Sequence, residues 1–130
     1  MITEDYVSFE TAKLLKEKGF NERLFTFYTT DEAKKEGYFE LMAFTDDKID
    51  NNHSNYCYLA PTLQMVMKWL REVHKISIEI TSTGYLIDND IEWECDIKAG
   101  HRLYFKHITN EKSFELCAEA AIRYCLENLI

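Results

Sequence analysis

"APTLQMVMKWLREVHKISIEIT", residues 60 to 81, changes its hydrophobic period partway along. Leu63, Val66, Met67, Leu70 and Val73 recur at helical spacing, while Gln64, Lys68, Arg71, Glu72 and Lys75 fall mainly on the other side. From Ile76 the period becomes two, with Ile76, Ile78 and Ile80 opposed by Ser77, Glu79 and Thr81. An amphipathic helix therefore runs straight into a strand, and the two are expected to pack together. Pro61 is expected to start the helix, because its missing N–H costs nothing in the first turn and its fixed φ suits that place. Ala60 is then left at the cap. Met65 and Trp69 fall at the margin of the apolar stripe, so Trp69, with Lys68 and Arg71 beside it, is either covered by the fold or offered to a partner.

Downstream, "STG" reads as a turn, and "DNDIEWECDI" alternates more cleanly than any other part of the chain. Ile91, Trp93, Cys95 and Ile97 form one face, Asp90, Glu92, Glu94 and Asp96 the other, and Asp88 extends the acidic row. "RLYFKHI" is expected to pair with this strand across "KAGH". Matching the two faces predicts a three-residue loop, Ala99 to His101, with Glu94 opposite Lys106, Asp96 opposite Tyr104, Cys95 opposite Phe105 and His107 on the inward side. "SFELCAEAAIRYCLENLI" predicts a closing helix from about Ser113, with Phe114, Cys117, Ala121 and Tyr124 on one flank.

Upstream, Ser8 as N-cap and Gly19 at the C′ position bound a helix over Phe9 to Lys18, with Phe20 folding back on Leu15. "RLFTFYTT" and "YFELMAF" predict a strand pair separated by the polar "DEAKKEG". Residues 45 to 55, rich in Asn and Asp, predict a loop and the chain's candidate hinge. The resulting order, α-β-β-α-β-β-β-α, implies a single α+β domain over residues 1–130: an antiparallel sheet of about five strands with three helices.

A chain of 130 residues buries enough surface for a core without staples. Its formal charge of −8 repels phosphate backbones, and both halves are acidic (−5 over residues 1–60, −3 over 61–130), so nucleic acid is an unfavoured partner. The acidic N-terminus lacks the pattern of a secretory signal, and no apolar run reaches the ~20 residues of a membrane span. A cytoplasmic protein with no membrane contact is expected. Cys57, Cys95, Cys117 and Cys125 form no CxxC pair and read as free thiols.

The row Asp88, Asp90, Glu92, Glu94 and Asp96 could attract a divalent cation, but alternate strand residues lie nearly ~7 Å apart and cannot wrap one ion. "DNDIEWECDIKAG" also lacks the glycine and final glutamate of an EF-hand loop. The row reads first as a solvated face and second as a protein-contact patch; Lys68, Trp69 and Arg71 are the other contact candidates. His53 and Cys57, four apart, sit in a polar loop without a second ligand pair, so no metal or other cofactor is expected. No nucleophile has a local signature and the glycines do not cluster into a phosphate loop, so no catalytic residue is assigned and no enzyme activity is expected. The α-β-β-β-α order after Pro61 parallels that of double-stranded-RNA-binding domains, but the last helix opens with Glu111, Glu115 and Glu119 around one lysine.

Three segments, "YVSFETAKLLKEKGFNE", "YLAPTLQMVMKWLREVHKI" and "ELCAEAAIRYCLENLI", resemble a family of small uncharacterised proteins of phages and prophages of gut Bacteroidetes. The resemblance implies an origin in mobile elements, carries no known activity, and does not extend to the acidic strand. The expected function is that of a non-enzymatic accessory protein that binds an unidentified host or phage protein. The alternatives are a nucleic-acid module using Lys68, Arg71 and Lys75, or an acidic anti-defence inhibitor whose carboxylates imitate DNA phosphates.

Overall fold

A computed structural model describes residues 5–30, 40–42, 47–100 and 104–130. The described residues form an α+β protein with three helices and two three-stranded antiparallel sheets, in place of the one sheet of about five strands expected from the sequence. Contacts cluster the chain into two units, Met1–Thr62 and Leu63–Ile130.

The first unit begins with α1 (Phe9–Glu17). The Ser8 hydroxyl accepts the Thr11 N–H at 3.2 Å and caps the helix. At the other end Gly19 takes φ 87°, and the Phe20 and Gly19 N–H groups reach back to the Leu15 and Lys16 carbonyls, closing a Schellman motif. Phe20 and Leu15 are both fully buried, as the fold-back required.

Three short strands follow: β1 (Phe27–Thr29), β2 (Glu40–Met42) and β3 (Cys57–Leu59), in the order β2-β1-β3. The expected pairing of "RLFTFYTT" with "YFELMAF" exists at Phe27↔Met42 to Thr29↔Glu40. The rest of the second segment, at 38, 39, 43 and 44, lies outside the described residues, as does "DEAKKEG". β3 was not foreseen. Three residues are too few to print a period, yet they pair along the whole of β1.

Side chains hold much of this unit. Asn51 is buried; its amide donates to the Phe20 carbonyl at 2.6 Å and accepts the Leu59 N–H at 2.9 Å. Leu24 and Ile49 exchange backbone bonds, both at 2.9 Å, so the described part of the 45–55 loop is pinned at two points. Lys16 Nζ donates to the Ser54 and Cys57 carbonyls at 2.8 Å, and burial lowers its pKa. Phe9 meets the rings of Tyr28 and Tyr58 edge-on.

The second unit opens with α2 (Leu63–Val73). The helix starts two residues later than the proline placement predicted. Pro61 lies before it, buried, with its carbonyl accepting the Val7 N–H at 3.0 Å; Thr62, not Ala60, immediately precedes the helix. Leu63, Val66, Met67 and Leu70 are buried as the stripe demands, but Val73 is 56% exposed because the helix ends there. Lys75 follows with φ 58°, a left-handed position that glycine usually fills.

β4 (Ile76–Ile87), β5 (Asp90–Ala99) and β6 (Tyr104–Glu111) form the second sheet, in that order. "STG" is not a turn between strands. Ser82 faces Trp93 and Leu86 faces Ile91, so β4 carries two extra residues there, with Gly84 at φ 86° absorbing the bulge. The true reversal is Asp88-Asn89, with φ of 50° and 70°, the paired positive values of a type I′ hairpin turn.

α3 (Phe114–Asn128) is capped by Ser113, whose hydroxyl accepts the Leu116 N–H at 3.0 Å. It packs across all three strands, while α2 packs on β4 and α3. The core between α3 and β5 includes Cys95, Ile97, Cys117, Ala121, Ile122 and Cys125, all at 1% exposure or less. Burial raises the Cys95 pKa and pushes Cys117 and Cys125 up to about 12, so these thiols stay protonated.

Candidate functional site

β5 is regular from Asp90 to Ala99, so Asp90, Glu92, Glu94 and Asp96 share the face that α3 does not cover. Asp88 does not extend this row. It is the first turn residue, and its carboxylate is bound to Lys112 Nζ at 2.6 Å.

The register to β6 differs from the expected one. Cys95 faces Ile108, Asp96 faces His107 and Ile97 faces Lys106, leaving four residues, 100 to 103, between the strands. The expected pairs, Glu94 with Lys106, Asp96 with Tyr104 and Cys95 with Phe105, are therefore not made. His101, placed in a turn by the sequence, lies outside the described residues. Beyond Cys95 a bulge shifts the register once more, Trp93 facing Glu111 with the extra β6 residue accommodated where Asn110 takes φ 66°. From Cys95 to Ala99 the register is set at the connection, four residues long in place of three.

This shift exchanges the faces of β6. Lys106 turns toward α3, its ammonium 5.3 Å from the centre of the Tyr124 ring, and Phe105 turns outward at 59% exposure. His107, expected inward, stands outside among the carboxylates. Its Nδ1 lies 2.7 Å from Asp96 Oδ1 and its Nε2 3.4 Å from Glu94 Oε2. The Asp96 hydrogen bond, aided by the charges of Asp96 and Glu94, raises the His107 pKa. The imidazolium can donate from both nitrogens, so the ring acts as a clamp between two acids.

β4 brings a further acid to the same face. Glu79 sits directly across from Asp96, a like-charge pairing that costs stability, offset by Lys98 at 3.4 Å from Glu79. Thr109 Oγ1 donates to Glu92 at 3.5 Å. The result is an open, acidic sheet face with one embedded imidazole. Among the described residues no three His, Cys, Asp or Glu side chains are grouped to hold a metal ion.

The other candidates separate. Lys68 and Arg71 are exposed on α2, as is Lys75 beyond it, where its Nζ donates to the Glu72 carbonyl at 2.8 Å. Trp69, expected at the margin of the helix, is buried at 7% exposure with its ring edge-on to His74, so it presents no contact surface. His53 lies in the first unit, on an open hollow of ≈ 270 Å³ lined also by Arg23, Asp47, Lys48, Ile49 and Asp50. Two acids and three basic groups leave that hollow without a dominant sign.

His107 is the residue of this candidate face that sequence reasoning missed. The missing information was the length of the connection, since four residues between the strands reverse the faces that three would match. Among the described residues no helix is long and apolar enough to cross a membrane. Comparison with protein-family models, with curated proteins and with solved structures finds no match to the chain.

Proposed function

We propose that this chain is a non-enzymatic accessory protein of phage or prophage origin that acts in the host cytoplasm by binding another protein through the acidic outer face of β4, β5 and β6. The observation that supports the reading is the Glu79–Asp96 pairing. Lys98 and His107 offset the repulsion between these two carboxylates, and a sheet face that gathers acids in need of such compensation is one that serves something besides stability. Glu92 and Glu94 continue the same field along β5. A basic partner is favoured, and the sharper form of the proposal is an anti-defence inhibitor whose carboxylates stand in for DNA phosphates.

The test uses the full chain immobilised as bait for bacterial host lysate, beside the Glu92→Lys/Glu94→Lys variant, with mass spectrometry of retained proteins. A partner held by the parent and lost by the charge-reversed bait supports the proposal. Identical retained sets from both baits remove the acidic face from the interface. A second reading, a nucleic-acid module using Lys68, Arg71 and Lys75, rests on the exposure of all three. A low-salt gel-shift retained by the parent and lost when all three become Ala would favour it over the first.

A further inference from the structure

The face of β5 that packs on α3 is covered along only part of its length. Ala99, Ile97 and Cys95 are at 1% exposure or less, Trp93 is half-buried, and Ile91, next on the same face, is 51% exposed. The boundary is set by α3, whose first residue, Phe114, meets the Trp93 ring edge-on at 5.6 Å. Beyond that contact no helix among the described residues lies under the β4–β5 hairpin. Leu86, paired with Ile91 across the ladder, is 65% exposed, and neighbouring Tyr85 is 74% exposed. Leu86 and Ile91 thus meet water as a cross-strand pair on this face, with exposed Tyr85 in the adjoining bulge, where scattered single exposures would need no explanation.

The hairpin end is also rigid and charged. Its two-residue turn and the pairs Leu86↔Ile91 and Ile87↔Asp90 hold it in one geometry, so a partner would meet a preorganised surface. Glu111 faces Trp93 across the ladder and Glu115 lies in the first turn of α3, while Asp90 and Glu92, either side of Ile91 in sequence, stand on the opposite face of the strand. The nearby cation, Lys112, is already engaged by Asp88. A second copy of this chain, at formal charge −8, would bring its own carboxylates against these. A basic segment would not.

We infer that the overhanging end of the β4–β5 hairpin, with Leu86, Ile91 and the edge of Trp93 at its centre, docks a basic amphipathic segment of a protein partner, apolar side chains on the hairpin and Lys or Arg toward its acidic rim. This rests on the protein-binding reading and names where and what the partner presents. The apolar contacts supply the affinity, and the rim charges set orientation and encounter rate.

The test titrates the 15N-labelled full chain with a short synthetic amphipathic peptide of Leu and Lys, beside a Leu/Glu peptide and a Lys/Ser peptide. The expected result is amide shifts over residues 85–93 and 113–116 with the Leu/Lys peptide alone. Ile91→Lys should weaken that binding by about tenfold or more, the loss of one well-packed anchor. Shifts confined to Glu94, Asp96 and His107, with affinity unchanged in Ile91→Lys, would overturn this inference and leave the outer-face reading standing. No shift with any peptide would count against both. Concentration-dependent self-association abolished by Ile91→Lys would overturn it by showing that a second copy covers the hairpin.

Discussion

The two sheets are built on opposite principles. In the second unit β4, β5 and β6 run for 12, 10 and 8 residues, and long backbone ladders do the holding. In the first unit β1, β2 and β3 have three residues each among those described, and side chains reaching across to backbone groups supplement so short a described ladder. Asn51 joins Phe20 to Leu59, Thr26 Oγ1 donates to the Ala60 carbonyl at 2.7 Å, and Tyr28 OH donates to the Val7 carbonyl at 2.7 Å. A ladder distributes its stability over many equivalent bonds. A set of single contacts concentrates it, so one substitution can remove much of it.

Hydrogen exchange should break the comparison open most visibly. Amides of Cys95 and Ile97, central in their sheet and on the α3 face, should exchange orders of magnitude more slowly than those of Phe27 to Thr29. Equal protection would mean that the short sheet is as cooperative as the long one. Asn51→Ala comes next. It strands the Phe20 carbonyl and the Leu59 N–H, each costing ~1–3 kcal/mol when buried and unpaired, so a loss of about 3 kcal/mol in urea unfolding is expected. A change near zero would show that water replaces the amide and that the contact is not concentrated after all.

A smaller effect, of opposite sign, should come from the second unit. Lys75→Gly relieves a left-handed residue just beyond α2 and is expected to stabilise by roughly 1 kcal/mol in the same assay. The smallest is the pH dependence of the His107 clamp. Its folded pKa lies above the unfolded value of about 6.5, so the folded state binds the proton more tightly. The clamp's contribution is complete below that unfolded value and is lost as pH rises through the higher folded one. Urea midpoints of the parent should fall across this window relative to those of His107→Gln; parallel curves would show that the clamp adds nothing to folding.

The same contrast explains what could be read in advance. α1 and α3 were legible because their ends carry local chemistry: Ser8 and Ser113 as caps, Gly19 at a left-handed stop. The class, α+β, followed from the change of period at Ile76. β3 was hidden because the contacts that make it a strand come from β1 and Asn51, distant in sequence. The acidic face of β5 was legible from its alternation, but its neighbours were not. The length of the connection after β5, four residues in place of three, decides which side chains of β6 stand opposite, and periodicity alone does not supply that length. Trp69 was left open between burial and exposure for a simpler reason. Its position at the margin of the stripe did not reveal how far the burial of α2 extends around the helix.

The four thiols differ in one practical respect. Cys95, Cys117 and Cys125 are buried and held as protonated thiols in the second unit, whereas Cys57 is only half-buried at the start of β3. A maleimide dye offered to the native protein should therefore settle on Cys57 and leave the others unmarked. The native chain thus carries a built-in address for a single fluorophore. The slow labelling that follows becomes a clock for how often the interior of the second unit opens.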